Sequence, residues 1–405
     1  MPRLLQINVT YKYGSTGRIA DSIGDLAISH GWESWIAYGR ELSSAKGSKS
    51  HIIRIGNETD IYLHGLQSRI FDRHGLASKK ATSRLIETIK DINPDIIHLH
   101  NIHGYYLNYP ILFEFLSATN TPVIWTLHDC WPFTGHCAYF TFNKCEKWKS
   151  LCAGCSNLKA YPTSLLFDNS ANNHKLKRQA FTSVGDRLLL VPVSNWLNDI
   201  AHQSFLKDCQ SAVIHNGIDP EIFHPHDARQ QTDDSRQMIL GVANVWEPRK
   251  GLTDLIKLDS MIDHTRFRIT IVGLSADQLK KLPPSIIGIQ RTQDIHALAR
   301  LYAEATVYVN PTYEDNFPTT NLEALACGTP VVTYNTGGSP EAVDPSTGAV
   351  ITPGDLPGLL KAIEHFADTP DKESLSEACR HRAVTMFDRR ECYQKYFDLY
   401  MSLLK

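Results

Sequence analysis

The feature that most constrains the fold is a strand, loop, helix and strand around residues 310–336, which read NPTYEDNFPTTNLEALACGTPVVTYNT. A buried strand (TVYV, 306–309) precedes the loop, and a second apolar strand (PVVT, 330–333) follows the helix. Pro318 marks the start of the helix, because proline is favoured in the first helical turn. The pattern predicts one unit of an open parallel sheet whose loop lies at the carboxyl edge, where ligands bind in such folds.

Acidic side chains cluster around this loop and helix. Glu314 and Asp315 lie in the loop, and Glu323 follows on the helix. Such acids can hold the hydroxyl groups of a sugar or ribose, while the helix N-terminus, with unpaired N–H groups and a partial positive charge, can hold a phosphate. The stretch therefore indicates a sugar-nucleotide site, although acids near a helix start are also common on ordinary protein surfaces.

Length and charge limit the class of protein. A chain of 405 residues is too long for one core and fits two domains. Its 41 basic and 43 acidic residues nearly balance, so we expect no nucleic-acid partner. No apolar run approaches the length of a membrane span, and the chain opens on a strand without an apolar signal region. We therefore expect a cytoplasmic protein.

Each half of the chain opens with a strand and a turn. In the first half, a strand at 4–9 leads to the glycine loop GSTG at 14–17. In the second half, a strand leads to the turn NVWEPRKG at 244–251. Residues 223–236 between the halves are polar and aperiodic, as an interdomain linker is. The chain is therefore predicted to form two doubly wound α/β domains.

Polar and aromatic residues follow two apolar strands of the first half, at 95–99 (DIIHL) and 123–127 (VIWTL). The residues after the first strand are expected to line a sugar site, because aromatic and polar groups together suit a sugar. The residues after the second strand are expected at the same edge, because parallel strands end there. Structural histidines and a polar cap of the strand end are the alternatives. The residues are His100, Asn101, His103 and Tyr105 after the first strand, and His128 and Asp129 after the second.

Five of the nine cysteines lie between Cys130 and Cys155. Four thiolates in a loop-rich segment can hold a tetrahedral zinc ion, which ties down a long loop through metal bonds. Reduced thiols in a packed loop are one alternative, and disulfides, which the cytosol disfavours, are another. The four candidate zinc ligands are Cys137, Cys145, Cys152 and Cys155.

Basic and apolar side chains also mix between residues 50 and 92. Such a mixture can rest on an anionic membrane surface, and a plain solvated face is the alternative. The residues are Arg69, Arg73, His74, Lys79 and Lys80 among Ile70, Phe71 and Leu76.

Together these motifs resemble the retaining glycosyltransferases of family 4. The resemblance rests on the acids Asp315 and Glu323 before GTPVV, on His128-Asp129 after a strand, and on shorter turns. Those turns are NGID at 216–219, KG at 250–251 and GG at 337–338. The chain departs from the family at Asp315, where glutamate is usual, and at Asn244, where arginine is usual. The segment WPFTGHC and the later cysteines resemble a subgroup that builds bacterial surface polysaccharides.

The resemblance implies the glycosyltransferase-B architecture, in which two Rossmann-like doubly wound domains face each other across a cleft. An acceptor-binding domain is expected at 1–225, completed by a C-terminal helix at 386–405, and a nucleotide-sugar-binding domain at 226–385. The implied reaction moves a hexose, with retention, from a UDP- or GDP-sugar to an oligosaccharide or polyprenyl-diphosphate-linked acceptor. Its product would be lipopolysaccharide O-antigen, capsule or exopolysaccharide, made with peripheral contact to the cytoplasmic face of the inner membrane.

The resemblance also implies residue roles. Asp315 or Glu314 would hold the donor sugar, Glu323 the ribose, and His128 would lie beside the transferred ring, with Asp129 orienting it or facing the acceptor. Because the sequence has no Asp-x-Asp, no metal is expected in catalysis. A nucleotide-sugar epimerase or hydrolase on the same fold, and a non-catalytic nucleotide-sugar-binding scaffold, are the alternatives. Further donor contacts are implied for Gly14, Gly17, Lys250, Arg249 (in place of the missing arginine), Asn316, Phe317, Pro318 and Thr319, and acceptor contacts for His100, Asn101, His103 and Tyr105.

Overall fold

The computed structural model describes residues 1–40, 47–225 and 234–404. It divides into two compact units: unit 1 comprises Met1–Ile214 and Tyr393–Lys405, and unit 2 comprises His215–Cys392. Most of the predicted linker, residues 226–233, lies outside the described residues. The domain boundary at 225–226 therefore stays a prediction.

Unit 1 contains a parallel sheet of seven strands in the order β3-β2-β1-β4-β5-β6-β7. The strands are β1 Arg3–Asn8, β2 Glu33–Tyr38, β3 His51–Arg54, β4 Ile96–Leu99, β5 Val123–Leu127, β6 Leu188–Pro192 and β7 Gln210–Ser211. The two central strands β4 and β5 are buried along their whole length, as their continuous apolar sequences predict. The strand order reverses between β1 and β4, so the loops that follow these two strands border the crevice where ligands bind in doubly wound sheets.

Seven helices belong to this part of the described chain, the last of them only in part. They are α1 Gly14–Ser29, α2 Glu58–Phe71, α3 Lys79–Ile92, α4 Tyr109–Ala118, α5 Ser170–Thr182, α6 Asn195–Ala201 and α13 Arg389–Leu403. Helix α13 begins in unit 2 and ends in unit 1. Within unit 1, the hydroxyl of Tyr400 lies 2.6 Å from Nδ1 of His98, and Tyr396 contacts Thr126 at 3.2 Å. The end of α13 thus closes the back of β4 and β5.

Unit 2 contains a parallel sheet of six strands in the order β10-β9-β8-β11-β12-β13. Its strands are β8 Gln237–Val242, β9 Phe267–Val272, β10 Ile287–Ile289, β11 Val307–Asn310, β12 Val331–Tyr334 and β13 Gly348–Ile351. Its helices are α7 Leu252–Asp259, α8 Ala276–Leu279, α9 Ile295–Glu304, α10 Thr319–Ala326, α11 Leu356–Ala367 and α12 Lys372–Phe387. The order reverses between β8 and β11, so the predicted acidic loop after β11 and the Lys250 turn after β8 lie at one edge.

Short 3-10 turns complete the fold at Trp131–Phe133, Lys147–Lys149, Gly185–Arg187, Pro248–Lys250 and Ser339–Ala342. The core of unit 2 contains apolar side chains of β8, β9, β11, β12, α7 and α11, including Ile239, Ile269 and Leu255, all fully buried. No helix in the described ranges is long and apolar enough to cross a membrane.

Candidate active site

Three turns of unit 2 pack closely at the carboxyl edge of its sheet, and two glycines make this packing possible. At Gly251 (φ +78°), a Cβ atom would lie 2.1 Å from the carbonyl oxygen of Pro311. At Gly337 (φ +56°), a Cβ would lie 1.7 Å from the carbonyl oxygen of Asp315. Because side chains rarely adopt positive φ and no space remains for one, both positions require glycine. The KG and GG turns of the sequence therefore both pack against the acidic loop.

The acidic loop presents Asp315 to Lys250. The ammonium of Lys250 forms an ion pair with one carboxylate oxygen of Asp315, and the N–H of Asn316 donates to the other at 2.9 Å. Glu314 is buried, and its carbonyl accepts a hydrogen bond of 2.8 Å from Arg249. Of the two predicted acids, Asp315 is thus the one that meets the predicted cation.

Arg249 contributes to the shape of this edge through its protein contacts. Besides its bond to the loop carbonyl, its Nε donates to Glu247 at 2.9 Å, and its own carbonyl accepts from the N–H of Tyr313 at 2.7 Å. Asn244, where the family resemblance leads us to expect arginine, is exposed. These contacts make Arg249 a brace between two loops, and its predicted role in holding phosphate stays a prediction.

A buried polar network fixes the start of α10 against the sheet. Asn310 donates to the side-chain oxygen of Asn321 at 2.8 Å, and Asn321 donates to the hydroxyl of Ser339 at 3.1 Å. The hydroxyls of Ser339 and Thr333 lie 2.7 Å apart. Pro318 occupies the cap position of α10 without a side-chain capping bond, and Thr319 begins the helix. The first N–H groups of α10 therefore point toward the acidic loop without a side-chain cap.

The side chain of Glu323, on α10, is buried and contacts Tyr302 of α9. Its Oε2 accepts a hydrogen bond of 2.9 Å from the hydroxyl of Tyr302, which is fully buried. The hydroxyl of Thr319 lies 3.5 Å from its other oxygen. Burial, together with the charge of Glu323, raises the pKa of Tyr302 well above its ordinary value, so this phenol stays protonated and keeps donating. The carboxylate predicted to reach a ribose is thereby fixed in place.

Phe317 lies in a second small cluster of unit 2, with the NGID segment. Its ring centroid is 4.7 Å from that of His215, whose Nε2 lies 2.9 Å from a carboxylate oxygen of Glu341. Asn216 donates to the carbonyl of Phe317 at 3.4 Å. His215, held by Glu341, and Asn216 thus both contact Phe317 of the loop.

In unit 1, the predicted residue His128 belongs to a hydrogen-bonded relay at the ends of β4 and β5. Gln6 donates through Nε2 to the carbonyl of Ala20 at 2.8 Å, so its Oε1 faces Nε2 of His100 at 3.1 Å and accepts a proton there. Nδ1 of neutral His100 then accepts from Nε2 of His128 at 3.3 Å. The relay fixes the tautomer and the ring plane of His128.

Both histidines of the relay are neutral at physiological pH. Burial lowers the pKa of His128 to about 4, although the nearby Asp129 charge opposes the shift. Burial and the neighbouring His98 and His128 hold the pKa of His100 well below its ordinary value. His128 is therefore suited to hydrogen bonding with an uncharged group such as a sugar hydroxyl, and not to donating a proton as an imidazolium.

Asp129 forms a hydrogen bond with His103, and its expected role of orienting His128 or facing the acceptor stays a prediction. Its Oδ2 lies 2.7 Å from Nε2 of His103, and its Oδ1 accepts from the N–H of Trp131 at 2.9 Å. The hydroxyl of Tyr161 lies 3.0 Å from Nδ1 of His103. Burial raises the pKa of Asp129, but the charge and hydrogen bond of His103 with the Trp131 N–H outweigh burial, and the net shift is downward. Sequence reasoning missed Tyr161, because no motif connects it to this site.

The backbone beside His103 is strained. Gly104 has φ +117°, and Tyr105 has φ +72°, a conformation that costs a non-glycine residue roughly 1–3 kcal/mol. His74 holds this segment, since its Nε2 accepts the N–H of Gly104 at 3.1 Å. His74 is buried, and burial keeps its pKa well below the ordinary value. It is therefore a neutral support of the predicted acceptor loop and not one of the exposed bases with which the sequence groups it.

The glycine loop of unit 1 joins the same edge through Asn8. The side-chain oxygen of Asn8 accepts the N–H of Asn101 at 3.2 Å, and its nitrogen donates to the carbonyl of Thr10 at 2.8 Å. Gly14 has φ +67°, and at Gly17 a Cβ would lie 2.8 Å from the hydroxyl of Thr10. One buried asparagine thus ties the loop after β1 to the loop after β4.

The four candidate zinc ligands are free thiols, of which Cys137 and Cys152 are buried. The thiol of Cys137 hydrogen-bonds to Cys155, which raises the pKa of Cys137 and lowers that of Cys155 to about 6. Over residues 1–40, 47–225 and 234–404, no group of three or more His, Cys, Asp or Glu side chains is arranged to hold a metal ion. The zinc ion therefore stays a prediction.

Helix α5 holds the cysteine-bearing segment through a buried polar face that sequence reasoning missed. Lys177, only 1% exposed, donates through Nζ to the carbonyls of Trp131 at 2.7 Å and Thr134 at 3.0 Å. Burial lowers its pKa to about 7. Nε2 of His174 lies 3.2 Å from the carbonyl of Trp148. The signal was present as polar residues at helical spacing, namely Ser170, Asn173, His174 and Lys177.

Two family models match this chain. Residues 50–222 match the model described as Glycosyltransferase Family 4, and residues 236–369 match the model described as Glycosyl transferases group 1. These ranges cover most of the strands of the two sheets and include His100, His128 and the acidic loop. The chain belongs to the glycosyltransferases that these two models describe.

Individual relatives extend this comparison. The putative colanic acid biosynthesis glycosyl transferase WcaC of Escherichia coli K12 is 23% identical over 439 residues, which cover 99% of this chain and 100% of the relative. The MMP alpha-(1->4)-mannosyltransferase of Mycolicibacterium hassiacum is 27% identical over 217 residues, which cover 49% of this chain and 50% of that protein. The similarity to WcaC thus runs the length of both chains.

Solved structures show the same fold. Sucrose-phosphate synthase from Thermosynechococcus elongatus superposes with a TM-score of 0.72 at 17% identity, covering 100% of this chain and 99% of that one. Anabaena HepE in complex with UDP superposes with a TM-score of 0.67 at 16% identity, covering 99% and 100%. The predicted fold, two doubly wound α/β units of the glycosyltransferase-B class, is confirmed.

Proposed function

We propose that this glycosyltransferase moves a hexose from a nucleotide diphosphate sugar to an oligosaccharide or lipid-linked acceptor, with retention at the anomeric carbon. The full-length similarity to a colanic acid relative supports a place in bacterial surface polysaccharide synthesis, of which lipopolysaccharide O-antigen, capsule and exopolysaccharide are the candidate products. The donor is proposed to be UDP-linked or GDP-linked. The structures of HepE with UDP and with UDP-glucose make UDP-sugars the first to test.

The observation that carries this proposal is the meeting of Lys250 and Asp315 at the edge of unit 2. A cation, a carboxylate and the uncapped start of α10 are gathered within one loop cluster, which two glycines hold at close approach. A nucleotide diphosphate sugar offers matching groups: phosphates for the ammonium and the helix N–H groups, and hydroxyls for the carboxylate. Donor binding would then replace the ion pair, since phosphate competes for Lys250.

In the proposed reaction, the bond between the anomeric carbon and the phosphate oxygen breaks as the acceptor oxygen bonds to the same face of that carbon. The acceptor's proton passes to the departing diphosphate. Lys250 stabilises the negative charge that grows on this diphosphate, and fixed charges act strongly in a site closed to water. Glu323, held by Tyr302, would accept from the ribose hydroxyls.

On unit 1, His128 would hydrogen-bond to the transferred sugar as a neutral ring. The proposed acceptor residues His100, Asn101, His103 and Tyr105 follow β4, and the strained backbone at Tyr105 is typical of sites where function sets the conformation. Among them His103 stands out, because Asp129 and Tyr161 fix both of its nitrogens. We propose that these two bonds let His103 hold the shape of the acceptor loop.

Isothermal titration with UDP- and GDP-sugars, with EDTA present throughout, tests the donor site. We expect one nucleotide sugar to bind without metal, and Lys250→Ala to weaken binding at least tenfold, because a charge-assisted hydrogen bond contributes about 1.5–3 kcal/mol. Lys257→Ala on α7, an exposed lysine of the same unit, is the matched control and should bind as the wild type does. Equal binding by the wild type and Lys250→Ala would show that the donor lies elsewhere.

A turnover assay distinguishes the transferase from the two alternative functions, an epimerase or hydrolase and a non-catalytic scaffold. Incubation of the binding nucleotide sugar with candidate acceptors should release nucleoside diphosphate in an acceptor-dependent manner, and proton NMR of the product should show the donor's anomeric configuration. Rapid turnover without acceptor would favour an epimerase or hydrolase. Binding without any turnover, across a broad acceptor panel, would favour the scaffold.

A further inference from the structure

Helix α2 buries polar side chains and exposes apolar ones, the reverse of an ordinary surface helix. Its buried residues are the polar His64 and Ser68. Its solvent side carries Tyr62, Leu63 and Leu66, which are 71%, 49% and 42% exposed. A surface helix of a soluble domain normally buries its apolar stripe, so this arrangement leaves apolar side chains without a cover in unit 1.

A loop extends this apolar surface beside the end of α2. Leu165, Leu166 and Phe167 are 68%, 72% and 55% exposed. The N–H of Leu165 donates to the carbonyl of Arg69 at 2.7 Å, and the N–H of Phe167 donates to the carbonyl of Ile70 at 3.2 Å. The rings of Phe167 and Phe71 stack with centroids 5.6 Å apart. These hydrogen bonds fix the backbone of the loop against α2, and its three apolar side chains remain exposed to solvent.

Together these side chains form one surface, which we call the apolar patch. A contiguous apolar surface of this kind on a soluble domain marks a site of contact with another surface. The apolar patch consists of Tyr62, Leu63, Leu66, Phe71, Leu165, Leu166 and Phe167.

The charge around the apolar patch is positive. Arg69 and Arg73 are exposed, and no ion pair joins either of them to an acid within residues 1–40, 47–225 and 234–404. The nearby acids have other partners. Glu58 pairs with Arg54, Asp60 caps the start of α2, Asp72 pairs with buried His136, and Asp168 accepts the N–H groups of Cys155 and Ser170.

We propose that the apolar patch docks on a membrane surface that contains anionic lipids. Leu166 and its neighbours would enter the boundary between headgroups and acyl chains, and Arg69 and Arg73 would meet lipid phosphates. A second copy of the chain is a poorer occupant, because a two-fold contact would bring the same arginines of both copies together. The contact would be peripheral, since none of the described helices can span a membrane.

The test is flotation of the purified full chain with vesicles of phosphatidylcholine alone or with 30% phosphatidylglycerol. We expect binding to the anionic vesicles only. Leu166→Asp should weaken it at least tenfold, because it removes an inserted side chain and adds a charge of the wrong sign. Arg69→Gln with Arg73→Gln should weaken it about 25-fold, at about fivefold for each arginine. Molar salt should remove this second effect by screening.

Matched controls make the result specific. Met386→Asp on α12 replaces another exposed apolar side chain, and Lys281→Gln with Lys361→Gln removes two exposed charges, all in unit 2. These variants should float as the wild type does, and thermal melting should show that every variant is folded. The proposal does not rest on the transfer reaction, since flotation requires neither donor nor turnover.

Three outcomes would overturn the assignment. The wild type could fail to float with anionic vesicles, or Leu166→Asp could float as well as the wild type. A dimer in sedimentation equilibrium that Leu166→Asp dissociates, without vesicle binding, would assign the apolar patch to self-association instead.

Discussion

Acid should destabilise unit 1 through His98, which is fully buried at the back of its sheet. Its Nδ1 lies 2.6 Å from the hydroxyl of Tyr400 and its Nε2 lies 2.7 Å from the hydroxyl of Thr126. Burial lowers its pKa to about 3. In the unfolded chain His98 has the ordinary pKa near 6.5. Between pH 6.5 and about pH 3, the unfolded chain therefore binds a proton at His98 that the folded chain does not bind.

The size of the effect follows from the shift. Stability is fully present above about pH 6.5 and falls by about 1.4 kcal/mol for each pH unit below it, until the folded pKa is reached. At pH 5 His98 alone should cost about 2 kcal/mol. His128, whose pKa burial lowers to about 4, adds a loss of the same sign.

Urea unfolding at pH values from 7.5 to 4.5 measures this loss. Tryptophan fluorescence reports mainly on unit 1, because six of the seven tryptophans lie there, and Trp246→Phe removes the other. In the His98→Gln variant, the slope of unfolding free energy against pH should be smaller by about one proton below pH 6. His51→Gln, at an exposed position, controls for loss of an imidazole. Parallel slopes for the wild type and His98→Gln would refute the reasoning.

Three further predictions follow from buried contacts. Gly337→Ala should destabilise unit 2 by at least about 1 kcal/mol and weaken nucleotide-sugar binding, because its Cβ would collide with the carbonyl of Asp315; unchanged melting and binding would contradict this. Lys177→Met should lower the free energy of unfolding, measured in urea, by about 2 kcal/mol, because two buried carbonyls lose their donor. An unchanged free energy of unfolding would mean that water replaces the lysine. Asp129→Asn should lower kcat at least tenfold with unchanged donor affinity, because His103 loses its charged partner, and a matching loss of donor affinity would place the residue elsewhere.

Much of the fold was predictable because its signals are local. Continuous apolar runs at 95–99 and 123–127 predicted β4 and β5. Pro318 predicted the start of α10. The C-terminal helix expected at 386–405 begins only at Arg389, because the chain breaks at Asp388 after α12 ends at Phe387.

The site was less predictable, because its partners are distant in sequence. Lys250 and Asp315 come together only when β8 and β11 pair, and nothing in either motif says that Asp315 and not Glu314 will meet the lysine. Family resemblance gave Asp129 two possible roles, orienting His128 or facing the acceptor, and did not indicate its hydrogen bond to His103. Such pairings depend on side-chain directions at strand ends, which residue spacing does not encode.

The two-part composition of unit 1 has a consequence for its synthesis. Residues 393–404 complete the packing of β4 and β5 through Tyr396 and Tyr400, and a ribosome makes them only after all of unit 2. Because domains tend to fold as they emerge, unit 2 can reach its final state while unit 1 still lacks two tyrosines. The half of the chain that is made first would therefore be the last to complete its packing, and until then the buried polar groups of His98 and Thr126 would lack their tyrosine partners.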